Sequence, residues 1–432
     1  MKRWEVDRLE IADTGKRSRL NFGIYRRLVI SALDRIREGV IHIEEPGRPP
    51  ICVGVPDESF PAHAHIRIAD ERFYKLAAKR GGIGVAEAYI KGYWQADDLT
   101  NLMRMFVRRI GKEVPMERVL ASIGSMPAYV RHLLRKNTVR GSKKNIRAHY
   151  DLGNDFFEAF LDPTMTYSSG YFDSGDASMQ EASERKLRMI AQKLAIGASH
   201  TILELGCGWG SFGMLCAREY GCNVVCVTLS AAQQAEATRR VRAAGLQDKV
   251  EIRLQDYREL TGTFDRIVSI EMIEAVGHEN LSEFFRKCAS LLKDDGAMVI
   301  QAISMPERGY ESYLRRTDFI REFIFPGSCC PSIAAILTAA AKATKLRVAH
   351  LEEFGLHYSR TLRHWREAFV GNFEKILAAG YSADFLRLWH FYLCYCEAGF
   401  EEKHVGVSQI VFEMPSYVEK SIKLSERELV ND

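Results

Sequence analysis

Residues 201–230 read TILELGCGWGSFGMLCAREYGCNVVCVTLS, and this stretch decides the fold. The apolar run over 202–205 is typical of a buried strand, and it breaks into a glycine-rich turn over 206–210. Apolar residues then recur at helical spacing over 211–220, and 224–229 is a second run rich in β-branched residues. Strand, turn, helix and strand form a βαβ unit, which binds a nucleotide-like ligand at the carboxyl end of its first strand.

The glycine turn distinguishes between two classes of ligand. A dinucleotide fingerprint would need its third glycine at position 211, where Ser211 stands, and no acidic residue ends the second strand to hold a ribose hydroxyl. The spacing of Glu204, Gly206, Gly208 and Gly210 instead resembles the first motif of S-adenosylmethionine-dependent methyltransferases. Gly206 and Gly208 allow a sharp turn with positive φ and a close approach of the backbone to the ligand.

Positive charge is concentrated in the first third of the chain. The net charge is only +4 over 432 residues, but residues 1–150 hold 29 Lys and Arg against 17 Asp and Glu. Residues 101–150 alone hold 12 against 2. Such a region indicates an anionic partner, either a phospholipid surface or a nucleic acid. The basic residues are not interleaved with aromatic ones, as they are in single-strand nucleic acid binders, so we expect a lipid surface and no nucleic acid.

Composition and cysteine usage favour a cytoplasmic protein. The chain is 47% apolar and 27% charged, its first residues lack the apolar core of a signal peptide, and it contains no run of 18 apolar residues. Its ten cysteines form no metal-type pairs, so they predict thiols in a reducing compartment and no metal site. We therefore expect a cytoplasmic protein that lies peripherally at the inner face of the membrane.

Periodicity along the chain predicts four regions. A small α+β domain over 1–112 is followed by a basic helical connector over 113–147, an α/β domain over 148–417 and a charged tail over 418–432. In the α/β domain, strands and helices alternate, which implies a Rossmann-like doubly wound, mostly parallel sheet with helices on both faces. The last predicted strand of this sheet ends at Leu351. Inserted helical segments lie where a substrate cover would be built, near 309–325 and 359–400.

A series of ordered motifs closely resembles the cyclopropane-fatty-acyl-phospholipid synthases, a group that includes the mycolic acid methyltransferases. The motifs are HYDLGNDFF at 149–157, LDP at 161–163, YS at 167–168, LELGCGWG at 203–210, TLS at 228–230, QDYR at 255–258, FDRIVSI at 264–270, FPG at 325–327 and CE at 396–397. The resemblance is dense over about 149–413. A fainter match, AEAYIKGYW at 86–94, extends it into the first domain.

This resemblance implies a class I methyltransferase that moves a methyl group from S-adenosylmethionine onto the double bond of an unsaturated acyl chain. The cation that forms is then closed to a cyclopropane or deprotonated. The motif positions imply that the following residues bind the cofactor: Tyr167, Ser168, Glu204, Gly206, Cys207, Gly208, Trp209, Gly210, Thr228, Leu229, Gln233, Asp256, Tyr257 and Ile270. Tyr167 is expected beside the sulfonium, and Asp256 is expected to accept the adenine amino proton.

The resemblance also implies a bicarbonate ion that acts as general base. Glu274, the backbone of Ile303 and Tyr358 stand at positions where the family holds this ion. Two further positions depart from the family, because Ser169 replaces a cysteine and Gln301 replaces a histidine. Both side chains can hydrogen-bond an anion, but glutamine cannot become cationic, so ring closure is more in question than methyl transfer. Cys396, at a position sometimes assigned to the active site, is the last catalytic candidate.

Several functions remain open at this stage. The leading prediction is cyclopropane formation on phospholipid acyl chains at an anionic membrane surface. A methyltransferase of the same fold that leaves a methyl or methylene branch is the nearest alternative, and a small-molecule N-methyltransferase is a third. A non-catalytic lipid-binding protein with a decayed anion site is the fourth. The residues do not decide whether the chain forms a homodimer.

Neutralising the connector should weaken membrane binding. Replacing Arg131, Arg135, Lys143 and Lys144 by glutamine removes charges that each contribute about 1 kcal/mol near an anionic leaflet. We expect less protein to sediment with phosphatidylserine vesicles at low salt, and no change with vesicles of neutral lipid. Unchanged sedimentation with the anionic vesicles would indicate that the connector is a solvated linker.

Overall fold

The structure, a computed structural model, describes residues 23–110 and 152–418 except 174 and 176. The predicted basic connector over 113–147 and the tail from 419 onward lie outside the described residues. Two sheets organise the described chain, one of four strands before the connector and one of seven strands after it. The domain boundaries at 112 and 148 stay predictions.

The small sheet is mixed, and its strand order is β2-β1-β3-β4. Strand β1 (Gly39–Glu44) pairs antiparallel with β2 (Ile51–Val55) and parallel with β3 (His63–Ile68), and β3 pairs antiparallel with β4 (Trp94–Ala96). Apolar residues that alternate over 41–43, 51–55 and 64–68 predict the first three strands, and the structure confirms them. Strand β4 was missed because its three residues, all buried, are too few to show a period.

Three helices pack with the small sheet, namely α1 (Gly23–Leu33), α2 (Arg72–Ile90) and α3 (Leu99–Ile110). The sequence predicts two helices where α2 lies, and the structure joins them across a kink at Gly81. This residue has φ +55° and ψ −136°, a conformation that favours glycine.

The large sheet has the strand order β10-β11-β9-β8-β5-β6-β7. Its strands are β5 (Thr201–Leu205), β6 (Asn223–Thr228), β7 (Val250–Leu254), β8 (Phe264–Ile270), β9 (Leu292–Ser304), β10 (Arg347–Glu353) and β11 (Gly406–Glu413). Strands β5 to β9 pair in parallel, whereas β11 pairs antiparallel with β9 and β10. The predicted doubly wound, mostly parallel sheet is confirmed, and β11 is an addition that the sequence did not predict.

Strand β5 is the switch point of this sheet. It lies between β6 and β8, so the chain first runs outward through β6 and β7 and then returns to the other side of β5. In open α/β sheets the crevice outside the carboxyl ends of the strands at such a point binds the ligand. The glycine turn after β5 therefore opens onto that crevice.

Helices cover both faces of the large sheet and one end of it. They are α4 (Asn154–Glu158), α5 (Met179–Lys193), α6 (Ser211–Tyr220), α7 (Ala231–Ala243), α8 (Leu281–Leu291), α9 (Glu307–Leu314), α10 (Ile333–Ala343), α11 (Gly355–Gly371), α12 (Phe373–Ala378) and α13 (Ala383–Glu401). Helix α5 begins with a capping box, in which the side chains of Ser178 and Glu181 each bond the other's backbone N–H.

Helix α13 joins the two sheets into one body. It packs against α11 on one side and against α2 and α3 on the other, and all four helices share a single apolar cluster. At this contact the Tyr89 hydroxyl lies 2.8 Å from Nδ1 of His390. Just beyond the end of α13, Glu402 accepts from Arg104 at 2.6 Å and from Arg108 at 2.9 Å. The small sheet is therefore held against the predicted substrate cover.

None of the helices within the described ranges is both long enough and apolar enough to cross a membrane.

Candidate active site

A cavity of about 1290 Å³, its open mouth included, lies at the carboxyl ends of β5, β6 and β8. It is lined by most of the residues that the resemblance assigns to the cofactor: Tyr167, Ser168, Glu204, Gly206, Cys207, Gly208, Trp209, Thr228, Leu229, Gln233, Tyr257 and Ile270. The sequence therefore predicted residues from several separate segments that the fold brings to one cavity.

The glycine turn forms the floor of the cavity. The backbone N–H groups of Gly206 and Cys207 both donate to the carbonyl of Val227, at 3.0 Å each, which ties the turn to the end of β6. Gly206 has φ +78°, and a Cβ atom there would lie 2.7 Å from Cγ of Met272. Gly210, the remaining predicted glycine, does not line the cavity and instead caps the start of α6.

Asp256 also lies away from the cavity lining. Its carboxylate is buried and accepts from Arg258 three times, from the backbone N at 3.0 Å, from Nε at 2.9 Å and from Nη2 at 2.7 Å. Arg258 itself lines the cavity. Asp256 therefore holds Arg258 at the cavity lining and does not itself line the cavity.

Tyr167 connects the cavity to the aromatic helices of the cover. Its ring packs between Phe157 and Trp365, with centroids 5.3 Å and 5.2 Å away. Its hydroxyl lies 3.0 Å from the hydroxyl of Tyr392 on α13. The ring of Tyr167 therefore contacts both the cavity and the aromatic helices of the cover.

Glu271, which the sequence analysis did not single out, lines the cavity and is the centre of a polar cluster. Its Oε1 accepts from the backbone N of Ser169 at 3.0 Å and from Nε2 of Gln301 at 2.7 Å. Its Oε2 accepts from the hydroxyl of Tyr358 at 2.6 Å. Three residues that were predicted to hold an anion thus hold a carboxylate of the protein. Burial raises the pKa of Glu271, while Lys186 and these donors act in the opposite direction.

Glu274 lies beside this cluster and has fewer donors. The backbone N of Ile303 donates to its Oε1 at 2.6 Å, and its buried Oε2 has no hydrogen-bond partner among the described residues. Burial, reinforced by the charge of Glu271, raises the pKa of Glu274 to about 8. Glu274 therefore carries a proton at neutral pH, whereas Glu271 has the three donors that favour an ionised carboxylate.

Lys186 supplies positive charge beneath the cavity. It is fully buried on α5, and its Nζ donates to Oγ of Ser168 at 2.6 Å. Burial lowers its pKa to about 8, against the charges of Glu271 and Glu204 that favour the cation. Glu204 accepts from the backbone N of Gly213 and from Sγ of Cys226, at 3.2 Å each, and burial raises its pKa to about 7.

A bicarbonate ion does not fit the donors predicted to hold it. The Ser169 backbone, Gln301 and Tyr358 donate to Glu271, and the Ile303 backbone donates to Glu274. The hydroxyl of Ser169 donates to the carbonyl of Gly170 at 2.9 Å. The protein's own carboxylates therefore occupy the donors that an exogenous anion would need.

Cys396 lies apart from these groups. It lies on α13, packs against the apolar cluster and is not among the residues that line the cavity. Burial raises the pKa of its thiol, so the sulfur stays protonated at neutral pH and is a poor nucleophile.

Two of the groups that the sequence analysis missed had local signals. Glu271 directly follows β8, and an acidic residue at the carboxyl end of a central parallel strand lies where such sheets bind ligands. Lys186 stands on the buried face of α5 together with Ala182, Leu187 and Ile190. A charged residue on an apolar face is rare unless it has a partner.

Comparison with known proteins places this geometry in a family. The family model described as mycolic acid cyclopropane synthetase matches residues 137–410. The tuberculostearic acid methyltransferase UfaA1 of Mycobacterium tuberculosis is 35% identical over 77% of this chain and 78% of its own length. The cyclopropane-fatty-acyl-phospholipid synthase of Escherichia coli K12 is 34% identical over 81% of this chain and 88% of its own length.

A solved structure shows the same architecture. The mycolic acid cyclopropane synthase CmaA1, in complex with SAH and CTAB, superposes with a TM-score of 0.59 at 33% identity. The match covers 63% of this chain and 98% of that chain. The seven-stranded sheet and its helices are thus those of a class I methyltransferase.

The proton on Glu274 makes a prediction about stability. The folded chain keeps this proton up to about pH 8, whereas a glutamate of the unfolded chain, with its ordinary pKa of 4.5, releases it earlier. The folded state therefore binds more protons in that window, and stability falls as pH rises, by at most about 1.4 kcal/mol per pH unit. Glu274→Gln should reduce this fall.

Thermal unfolding of both proteins between about pH 5 and 8 measures the effect. Because the pKa of Glu204 is also raised, to about 7, the stability of the Glu274→Gln variant should still fall somewhat with rising pH below about pH 7. Glu311→Gln, at a 79% exposed side chain, is the control and should keep the wild-type slope. Equal slopes for wild type and Glu274→Gln would show that Glu274 is ionised in the fold.

Proposed function

The chain belongs to the mycolic acid cyclopropane synthetase family, and we propose that it converts unsaturated acyl chains of phospholipids into cyclopropane acyl chains. It is an S-adenosylmethionine-dependent methyltransferase of lipid acyl chains. The ring-forming reaction on phospholipid is the proposal. The observation that carries it is the juxtaposition of the glycine-turn cavity with a carboxylate cluster and an aromatic cover, since the reaction needs a methyl donor, a base and a dry apolar passage.

We propose that the cofactor lies in the cavity over the glycine turn. Gly206 and Gly208 allow the backbone to approach its methionine part, as positive φ angles at both residues permit. The hydroxyl of Thr228 donates to Oε1 of Gln233 at 2.8 Å, which fixes the polar rim at the end of β6. The ring of Tyr167 lines the same cavity and supplies an aromatic face for the sulfonium.

The aromatic cover supports the choice of an alkene as methyl acceptor. An alkene is a weak nucleophile, so the enzyme must hold it about 3–3.5 Å from the sulfonium methyl, in line and without water. Buried rings of α11 and α13, among them Trp365, Trp389 and Tyr392, pack around Tyr167 and Phe157 next to the cavity. Such a wall excludes water and suits an acyl chain better than a polar amine.

The substrate partner in this proposal is phospholipid at an anionic membrane surface. The supporting observation is the excess of positive charge in residues 101–150, where 12 basic residues stand against 2 acidic ones. The small sheet packs through α13 onto the cover, so the first part of the chain contacts the part of the protein proposed to hold the acyl chain.

A branching methyltransferase is the second candidate. It is favoured by the identity of 35% to a tuberculostearic acid methyltransferase and by the changes at Ser169 and Gln301. Both reactions add one CH2 to the acyl chain. They differ in the carbon that loses a proton after methyl transfer, because loss from the new methyl group allows ring closure and loss from another carbon forms an alkene.

Lipid analysis tests the proposal. The chain is expressed in bacterial cells that lack their own synthase, and their fatty acids are examined by gas chromatography–mass spectrometry and proton NMR, with an empty-vector culture as control. We expect acyl chains heavier by one CH2 with upfield cyclopropane protons. Retained olefinic protons on the heavier chains would establish the branching reaction instead. No change with folded protein would contradict both.

Cofactor binding depends on Gly206 in this proposal. Gly206→Ala places a Cβ 2.7 Å from Cγ of Met272. Alanine is also disfavoured at the φ of +78° that Gly206 adopts. The left-handed conformation alone costs roughly 1–2 kcal/mol, so we expect affinity for S-adenosylhomocysteine to fall about tenfold or more by calorimetry. Gly221→Ala shares a positive φ, +70°, but lies at the far end of α6. This control should bind normally, and equal affinities of all three proteins would contradict the assigned role of the turn.

A further inference from the structure

We infer that Glu271 is the general base of the reaction, a carboxylate built into the chain that does the work otherwise assigned to an exogenous bicarbonate ion. The inference rests on the proposed function, since it concerns the proton released after methyl transfer to an acyl alkene. It makes Glu271 a catalytic residue and makes the reaction independent of bicarbonate.

The position of the carboxylate supports this role. Glu271 lines the cavity together with Ser168, Gly206 and Ile270, whereas Glu274, Ser169 and Gln301 are not among its lining residues. Among the groups of the polar cluster, Glu271 is therefore the one that presents a carboxylate to the space proposed for the cofactor. A base must lie within hydrogen-bond reach of the proton that it takes, and a residue that lines the cavity is placed to meet a substrate there.

The hydrogen bonds around Glu271 favour its ionised form. Ser169 N, Gln301 Nε2 and Tyr358 Oη donate to it at 3.0, 2.7 and 2.6 Å. Donors that bond a carboxylate stabilise its charge, whereas Glu274 has a single backbone donor. The three donors use three of the roughly four lone-pair positions of the carboxylate, which leaves one on Oε2 for a proton.

A chain of polar groups orients Gln301 toward Glu271. Nε2 of Gln409, on the neighbouring strand β11, donates to Oε1 of Gln301 at 3.0 Å. Lys193 donates to Oε1 of Gln409 at 2.6 Å, which fixes the orientation of that amide in turn. With its oxygen engaged, Gln301 presents its NH2 group to Glu271. The glutamine that departs from the family pattern thus serves as a donor to the carboxylate.

The backbone of Glu271 holds the side chain in place. Its φ is +49°, a left-handed conformation that is uncommon for a residue with a side chain. Its N–H donates to the carbonyl of Gln301 at 2.8 Å, which extends the pairing of β8 with β9 by one residue. Strained residues of this kind concentrate at functional sites, where the surrounding structure enforces them. Glu271 combines this conformation with a place in the cavity lining.

The bond changes of the step balance without a further reactant. The alkene π pair bonds the methyl carbon, and the S–C bond pair returns to sulfur, which leaves S-adenosylhomocysteine and a carbocation. The carbocation then loses a proton to Oε2 of Glu271. The C–H pair of the methyl group closes the three-membered ring, or the C–H pair of another carbon forms a C=C bond. Lys186, buried below the cavity, offsets the charge of the carboxylate before the proton arrives.

The experiment compares the wild type with two variants in buffers depleted of or supplemented with bicarbonate. Methyl transfer from labelled S-adenosylmethionine to vesicles of unsaturated phospholipid is followed, together with the lipid products. The wild type should be equally active in both buffers. Glu271→Gln keeps the volume but cannot accept a proton, so activity should fall at least 100-fold in both, roughly the contribution of a general base.

The Glu271→Gly variant tests directly whether an added anion can replace the carboxylate of Glu271. Glycine suits the left-handed backbone, and its lack of a side chain leaves the donors of Ser169, Gln301 and Tyr358 free to hold an added anion. Activity should be lost in depleted buffer and should return at least in part with bicarbonate or formate. Binding of S-adenosylhomocysteine and the melting temperature confirm that both variants fold, and Glu311→Gln should match the wild type throughout.

The inference is overturned if the wild type needs bicarbonate, if Glu271→Gln retains its activity, or if folded Glu271→Gly is inactive with every anion. A wild type that binds the cofactor but makes no lipid product in any buffer contradicts the proposed function itself. The two failures are therefore distinguishable, because the first leaves lipid methylation intact in the wild type.

Discussion

The parallel pairing of β8 with β5 and β9 determines which groups can meet in this protein. Leu205 of β5 pairs with Ser269 of β8, and Ile270 of β8 pairs with Gln301 of β9. Because parallel strands end at the same edge of a sheet, the glycine turn after β5, Glu271 after β8 and the amide of Gln301 reach one crevice. A slip of one residue in β8 would send Glu271 to the opposite face.

Once these groups are together, the cost of burying charge decides their protonation. Four ionisable side chains, Lys186, Glu204, Glu271 and Glu274, lie in or behind one cavity, and each has a displaced pKa. Like charges at close range cannot all persist in a medium that solvates them poorly. In this cluster, three hydrogen-bond donors contact the carboxylate of Glu271, whereas a single backbone donor contacts Glu274. Two neighbouring carboxyl groups in such different surroundings are an arrangement that acid–base catalysis uses.

Much of the fold could be predicted from local patterns. The β5–turn–α6–β6 unit has a continuous apolar run, a glycine turn and a helical period, all visible within residues 201–230. Strand β11 escaped prediction because it is buried along nearly its whole length, so it does not alternate, and it contains the polar residues Ser408 and Gln409. These residues are tolerated there by the surrounding sheet, and Gln409 bonds a residue 108 positions away.

In the candidate site, too, features encoded in short motifs could be predicted, whereas contacts between residues far apart in the chain could not. The motif positions around the cofactor cavity could be carried over one by one, and most of them line it. The contacts of Glu271 could not be predicted from the sequence, because its three donors lie 102, 30 and 87 positions away in the chain. Asp256 shows the converse, since its local neighbour Arg258 holds the carboxylate that was predicted to face the ligand.

Helix α13 has a consequence for how this protein tolerates change. One face carries Tyr392, which meets Tyr167 at the cavity, and another carries His390, which meets Tyr89 of the small sheet's helix α2. A surface helix has a solvent-exposed side that tolerates many substitutions. The middle of α13 has no such side, because residues 389–394 are all buried. A substitution in the small-sheet region or in the α/β region must therefore stay compatible with the same buried residues of α13. The two halves are expected to evolve as a single unit rather than as exchangeable modules.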